Sequence, residues 1–103
     1  MANVMSILIV DDHEVVRNGV RSYLETVPEF QVVGEAVSGE EALALVSELI
    51  PDIVLLDVMM PGMDGFEVCR RLKKDPSTAH LPVVMVTALD QLSDRVTGLE
   101  AGA

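Results

Sequence analysis

Apolar residues along the chain gather into four short unbroken runs, separated by segments with a longer hydrophobic period. The runs are Ile7-Leu8-Ile9-Val10, Val32-Val33 with its flanks, Ile53-Val54-Leu55-Leu56 and Val83-Val84-Met85-Val86. Runs of this length without polar alternation predict strands buried on both faces, as in a parallel sheet covered by helices. The second run is the weakest of the four. After Asp11-Asp12, apolar residues at Val15, Val16, Gly19, Val20, Tyr23, Leu24 and Val27 keep a 3-4 spacing up to Pro28, which predicts a first helix. Ser38-Gly39-Glu40-Glu41 opens a second as a Ser N-cap with a carboxylate three residues on. Ala42, Leu43, Leu45, Val46 and Leu49 line its face, and Pro51 ends it. A third runs from about Gly65 to Lys73-Lys74, cations that suit a helix C-terminus, with Asp75-Pro76 beyond. A fourth covers Leu92 to about Ala101.

Strand and amphipathic helix alternate with no linker, repeat or low-complexity block, a pattern that predicts an α/β fold with a parallel sheet and right-handed crossovers. At 103 residues the chain fits one domain. Half of it is hydrophobic, but the only aromatics are Tyr23, Phe30 and Phe66, so the core is aliphatic. Seven Lys and Arg against 17 Asp and Glu give a net charge of −10, which argues against direct binding to nucleic acid or an anionic membrane. Cys69 is the single cysteine, so neither an internal disulfide nor a Cys-based metal cluster is expected, and a reducing cytoplasm is the natural compartment. The stretch from Met1 to Val10 has no basic start and only four consecutive apolar residues before Asp11, so neither a signal peptide nor a membrane span is expected.

In open parallel sheets functional groups collect beyond the carboxyl ends of the strands. Three of the four runs end there in chemistry: Val10 precedes Asp11 and Asp12, Leu56 precedes Asp57, and Val86 precedes Thr87. If the first and third strands are neighbours, three carboxylates share one pocket, and their repulsion raises pKa values or recruits a cation. A hard divalent ion, Mg²⁺, fits all-oxygen ligation with retained waters. Beside such an ion Asp57 is a candidate nucleophile for phosphoryl transfer, and Thr87 can hydrogen-bond a phosphoryl oxygen. Met59-Met60-Pro61-Gly62-Met63-Asp64-Gly65 supplies the turn chemistry that wraps the site. The plainer alternatives are an Asp N-cap, a turn Asp and a capping Thr; the coincidence of all three at one sheet end favours the site. His13 reads as a solvated first-turn residue and Cys69 as an apolar filler.

The run Ile7 to Asp12, the block Pro51 to Gly65 and Val83-Val84-Met85-Val86-Thr87-Ala88 resemble the receiver domain of two-component response regulators, over essentially the whole chain. The resemblance implies a flavodoxin-like, CheY-like fold with strand order 2-1-3-4-5. It implies phosphoryl transfer to Asp57 from the phosphohistidine of a sensor histidine kinase or a phosphotransfer protein, or from a small phosphodonor. It further implies Mg²⁺ held by Asp12, Asp57 and the backbone carbonyl of Met59, with Asp11 acting through water and Thr87 as the switch hydroxyl. Met59 and Leu89 fall where family members often carry polar residues that position hydrolytic water; both are apolar here, which predicts a long-lived phosphoryl group. The product is a signalling domain with at most its own phosphorylation and dephosphorylation as activity. A hydrolase of small substrates would need a second acid two residues after the nucleophile, where Met59 stands.

A receiver continues into a fifth strand carrying a Lys and then a fifth helix, so residues 1–103 are expected to form one receiver domain with order 2-1-3-4, lacking those two elements. Lys73 and Lys74 belong to the third helix and do not replace that Lys. Its loss points to the alternative of a phosphorylation-incompetent scaffold or dimerisation module, and Val83 to Val86 becomes an edge that invites self-association. The two halves resemble different branches: Asp11 to Arg17 and Val33 to Ala36 look like LuxR-type receivers, and Asp57 to Lys73 like receivers attached to diguanylate cyclases. Natural divergence, recombination and engineering each produce such a pattern.

Overall fold

The computed structural model describes residues 3–86. Its elements run β1 (Met5–Val10), α1 (Glu14–Leu24), β2 (Phe30–Ala36), α2 (Gly39–Leu49), β3 (Ile53–Asp57), α3 (Gly65–Lys74) and β4 (Val83–Val86). All strand pairs are parallel, in the order β2-β1-β3-β4. The expected fold class and order therefore hold for the described residues. The fourth helix, Thr87 and Leu89 lie outside them.

Each central strand is buried on both faces because the pleat sends alternate side chains to opposite layers. Leu8 and Val10 of β1 join Val54 and Leu56 of β3 under α2 and α3, in a core with Ala42, Val46, Val68, Cys69 and Leu72. Ile7 and Ile9 join Ile53 and Leu55 under Leu24 and Val20 of α1. Unbroken apolar runs are what such a two-sided strand requires. β2 is harder to read because its register against β1 shifts between Ile7 and Leu8, which pair with Val32 and Gly34, leaving Val33 as the extra residue.

The helices begin and end where local chemistry satisfies their free backbone groups. Ser38 Oγ accepts from the Glu41 amide, while Glu41 Oε1 accepts from the Val37 amide, closing the start of α2 from both sides. Asp64 caps α3 by accepting from the Glu67 amide at 2.9 Å. At the other end of α3, Lys73 Nζ donates to the carbonyls of Ala79 and Leu81, so this cation is tied to the approach to β4 and remote from the strand carboxyl ends.

The first helix departs from expectation. It ends at Leu24, not near Pro28, because Thr26 turns its hydroxyl and its amide onto the Tyr23 carbonyl. Its inward stripe is Arg17, Val20, Arg21 and Leu24, whereas Val15 and Tyr23 are 83% and 70% exposed. The reason is Glu35 on β2. Arg17 Nε lies 3.3 Å and Arg21 Nη1 2.5 Å from its carboxylate, and these pairs rotate the helix so that two cations, not two apolar residues, share the sheet-facing side.

Candidate functional site

Parallel register sets the site. Val10 pairs with Leu56, so the next residues, Asp11 and Asp57, leave their strands level with each other. Both continue the odd-numbered alternation that faces α1. At the opposite end of the sheet, the Ser6 amide donates to Asp52 Oδ2 at 2.7 Å and the Asp52 amide to the Ser6 carbonyl at 2.9 Å. This clamp fixes β1 against β3.

Asp11 is buried, and its amide donates to Ala36 on β2, so the ladder holds its backbone. Arg17 adds a second tie by donating from Nη1 to the Asp11 carbonyl at 2.7 Å. The Asp11 carboxylate accepts from the His13 amide at 2.8 Å. Asp12 follows on the turn into α1, and its Oδ1 is buried without a hydrogen-bond partner among the described residues. Asp57 Oδ1 accepts a 3.2 Å bond from the Met59 amide. Donor atoms of Asp11, Asp12, Asp57 and His13 all lie within 4.8 Å of one another.

The electrostatics follow from that crowding. The Asp57 carboxyl is pushed up to about 6, first by burial and then by the negative charge of Asp11, with Asp12 adding to it; the Met59 amide and His13 act in the opposite direction. A group with an orphaned buried oxygen on one side and a reluctant carboxylate on the other is short of positive charge. Three carboxylates suit a hard divalent cation, and Mg²⁺ fits these donors.

Asp11, Asp12 and Asp57 thus meet as expected. Met59 lies beyond β3 with a side chain 53% exposed, and its amide braces Asp57. Thr87 and Leu89 are outside the described residues; Val86, just before Thr87, pairs with Asp57. Sequence reasoning set His13 aside as solvated. Its ring is indeed 66% exposed, yet Nδ1 reaches 3.0 Å from Asp12 Oδ1 and 3.3 Å from Asp11 Oδ1. Its position directly after two acids was the available signal. Cys69 is buried in α3, where burial pushes its thiol up, in keeping with a core role.

The loop from Met59 to Asp64 is closed by a tight approach of helix to strand. The Gly65 amide donates to the Val58 carbonyl at 3.1 Å, and a Cβ at Gly65 would collide with the Asp57 carbonyl oxygen. Gly62 turns the loop with φ +77°, a conformation open to glycine. A separate cavity of about 200 Å³, lined by Val46, Ile50, His80 and Leu81 among others, holds none of the acidic residues.

A parallel sheet in the order 2-1-3-4, with an acidic pocket at the carboxyl ends of its two central strands, defines a doubly wound α/β domain with its site at the topological switch point. The chain belongs to the response regulator receiver domain family, which matches residues 7–103. It is 54% identical over 97 residues to "Response regulator PleD" of Caulobacter vibrioides, covering 94% of this chain and 21% of that protein. It is 43% identical over 98 residues to "Response regulator protein VraR" of Staphylococcus aureus, covering 95% of this chain and 46% of that one. The chain therefore spans less than half the length of these relatives. Among solved structures, a LuxR-family two-component response regulator from Aurantimonas sp. SI85-9A1 superposes with a TM-score of 0.89 at 34% identity, over 98% of this chain and 71% of that one. The flavodoxin-like receiver fold and a place in two-component signalling follow from this membership. No helix among the described residues is long and apolar enough to cross a membrane.

Proposed function

We propose that this chain accepts a phosphoryl group on Asp57 in a Mg²⁺-dependent reaction, from the phosphohistidine of a sensor histidine kinase or phosphotransfer protein. The observation that carries the reading is the crowded acidic pocket, with Asp12 Oδ1 buried without a hydrogen-bond partner among the described residues and Asp57 raised to about 6 beside Asp11. Asp12, Asp57 and the Met59 carbonyl are the proposed direct ligands, with Asp11 acting through water. Bound Mg²⁺ would offset negative charge on the pocket and on the incoming phosphoryl group.

In the transfer, an Asp57 carboxylate oxygen forms a bond to phosphorus while the phosphorus–nitrogen bond of the donor breaks, and the leaving imidazole keeps the electron pair and takes a proton. Asp11 is held by Arg17 and β2, so the pocket is organised before the donor arrives. Thr87 is the proposed switch hydroxyl, and Met59 and Leu89 are proposed to leave the phosphoryl group without side chains that orient hydrolytic water. The activity is confined to the domain's own phosphorylation and dephosphorylation, in the cytoplasm where such kinases present their phosphohistidine.

Beryllofluoride with Mg²⁺, which mimics a phosphoryl group, tests the reading by NMR. Amide shifts around Asp57 and Thr87 are expected; unchanged spectra would favour a phosphorylation-incompetent scaffold.

Self-association through β4 is a second proposal. Among the described residues β4 pairs only with β3, and Val84 and Val86 are exposed on it. An edge of that kind can pair with a second copy. Light scattering at micromolar concentration is expected to show dimer; a compact monomer rejects it.

A further inference from the structure

The cavity of about 200 Å³ lies at the end of the sheet opposite the acidic pocket, beside the last turn of α2 and the turns that lead into β4. Pro51, just before β3, and Leu81, just before β4, both line it, which places it at the amino ends of those strands. Val46, Pro51 and Leu81 are buried and supply apolar walls, while Ile50 and His80 are exposed and stand at the mouth. An apolar cavity of about 150 Å³ takes a benzene ring, so this one has room for an aromatic body and a short polar extension.

The polar groups around it are short of donors. The Ile50 amide bonds to the Val46 carbonyl, but Pro51 has no N–H to continue the closure. The carbonyls of Ser47, Glu48 and Leu49 therefore accept no hydrogen bond among the described residues, and Ser47 lines the cavity. A Lys or Arg often offsets this negative end of a helix, yet α2 has no basic residue in its last turn, and Glu48 adds a negative charge there. Across the cavity, Thr78 spends its hydroxyl proton on the Leu72 carbonyl at 2.7 Å and Ser77 spends its own on Asp75 Oδ1 at 2.8 Å. Each oxygen has only lone pairs left to offer. Lys73 does not fill the gap, because its Nζ is tied to the Ala79 and Leu81 carbonyls and it does not line the cavity. Ile50 holds φ 48° and ψ 62°, where glycine or asparagine usually ends a helix, with its side chain 76% exposed at the mouth.

We propose that this cavity binds a small protonated amine with an aromatic-sized apolar body, the body between Val46, Pro51 and Leu81 and the ammonium at the end of α2. An ammonium carries three donors and no acceptor, which matches free carbonyls and hydroxyls whose protons are spent. A ligand so placed also takes part of the Ile50 side chain out of water. The net charge of −10 draws a cation in from a distance and turns an anion away. The site is independent of the acidic pocket and of the phosphoryl chemistry proposed for it.

The test is an NMR titration of the chain with phenylpropylamine, and separately with phenylpropanol and phenylpropionate, which keep the body and change the head. Saturable amide shifts are expected at residues 46–50 and 77–81, with the amine bound about fivefold or more tighter than the alcohol and the propionate weakest. Ser47→Lys, at an exposed position, lets the chain supply its own ammonium to the end of α2. It is expected to cut amine affinity about fivefold while the alcohol stays within about twofold. Glu40→Gln makes the same change of charge at the other end of α2 and leaves every affinity within about twofold. Ile50→Gly relieves the left-handed strain, so it keeps the fold, and is expected to weaken amine and alcohol alike by uncovering the mouth. An amine bound no more tightly than the alcohol overturns the proposal, as does a Ser47→Lys protein that binds the amine like the parent. Amine shifts confined to Asp11, Asp57 and their neighbours overturn it too, and so does a chain that responds to none of the three compounds, which marks a cavity filled by water alone.

Discussion

Arg17 reaches back from the first turns of α1 to donate 2.7 Å onto the backbone carbonyl of Asp11, while its Nε lies 3.3 Å from Glu35. One planar guanidinium therefore joins the end of β1, the helix after it and the end of β2. The side chain is only 13% exposed, so water does not take its place when it is removed. Arg17→Met is expected to cost roughly 1–3 kcal/mol in urea unfolding, because it strands a buried carbonyl and part of the Glu35 carboxylate. It is also expected to weaken Mg²⁺ binding several-fold by loosening Asp11 and Asp12. Arg17→Lys recovers one contact and falls between, since an ammonium cannot span both partners. Equal Mg²⁺ affinity in all three proteins would show that the acidic turn does not depend on Arg17.

Asp57 links pH to stability in the metal-free protein. Its carboxyl titrates near 6 in the fold against an ordinary value of 3.8, so the folded state binds the proton more tightly than the unfolded state does. Stability from this group is present below about pH 4, falls as pH rises through the window to 6, and is flat above it. A shift of that size corresponds to at most about 3 kcal/mol, and solvent screening at an open pocket reduces the expected effect to about 1 kcal/mol. Thermal melts from pH 4 to 7.5 are therefore expected to show a decline in the parent that Asp57→Asn removes. The variant should be the more stable of the two at pH 7 without Mg²⁺, and saturating Mg²⁺ should narrow the gap. A parent no less stable than Asp57→Asn at pH 7 would contradict the raised carboxyl.

Gly65→Ala places a methyl group against the Asp57 carbonyl oxygen and Val58 Cα, both backbone atoms that cannot turn aside. The expected cost is about 1–3 kcal/mol by chemical denaturation. Because the strain falls on the strand end that carries Asp57, Mg²⁺ affinity should drop with it. A variant as stable as the parent would mean that α3 can pull back from β3.

Met59 bears on the lifetime of the phosphorylated state. Its exposed thioether side chain has nothing with which to orient an attacking water. Once formed, the phosphoryl group is expected to outlast the second timescale, and Met59→Asn to shorten its lifetime several-fold, read from phosphate release. Decay within about a second in the parent would refute the assignment of Met59.

Most of the fold could be read from hydrophobic pattern because β1 and β3 carry apolar side chains into both layers and need unbroken apolar runs, while Ser38 and Asp64 mark helix starts by chemistry that is local in sequence. What escaped was set by contacts across the fold. The orientation of α1 depends on Glu35, eighteen residues from Arg17, and a hydropathy pattern counts both as surface. The extra residue Val33 in β2 answers to register against β1 and not to β2 itself. At the site, Asp11, Asp12 and Asp57 were legible because each ends a strand or lies within two residues of its end. The contact of His13 with Asp11 and Asp12 was not, since it depends on where the turn aims the ring.

The central claim is that Asp57 is the phospho-acceptor of a Mg²⁺-assisted pocket. Its most direct test is intact-protein mass spectrometry after incubation with acetyl phosphate. The account predicts one added phosphoryl group in the presence of Mg²⁺, strongly reduced by chelation and absent from Asp57→Ala. No added mass in the parent, or an adduct that survives in Asp57→Ala, would contradict it.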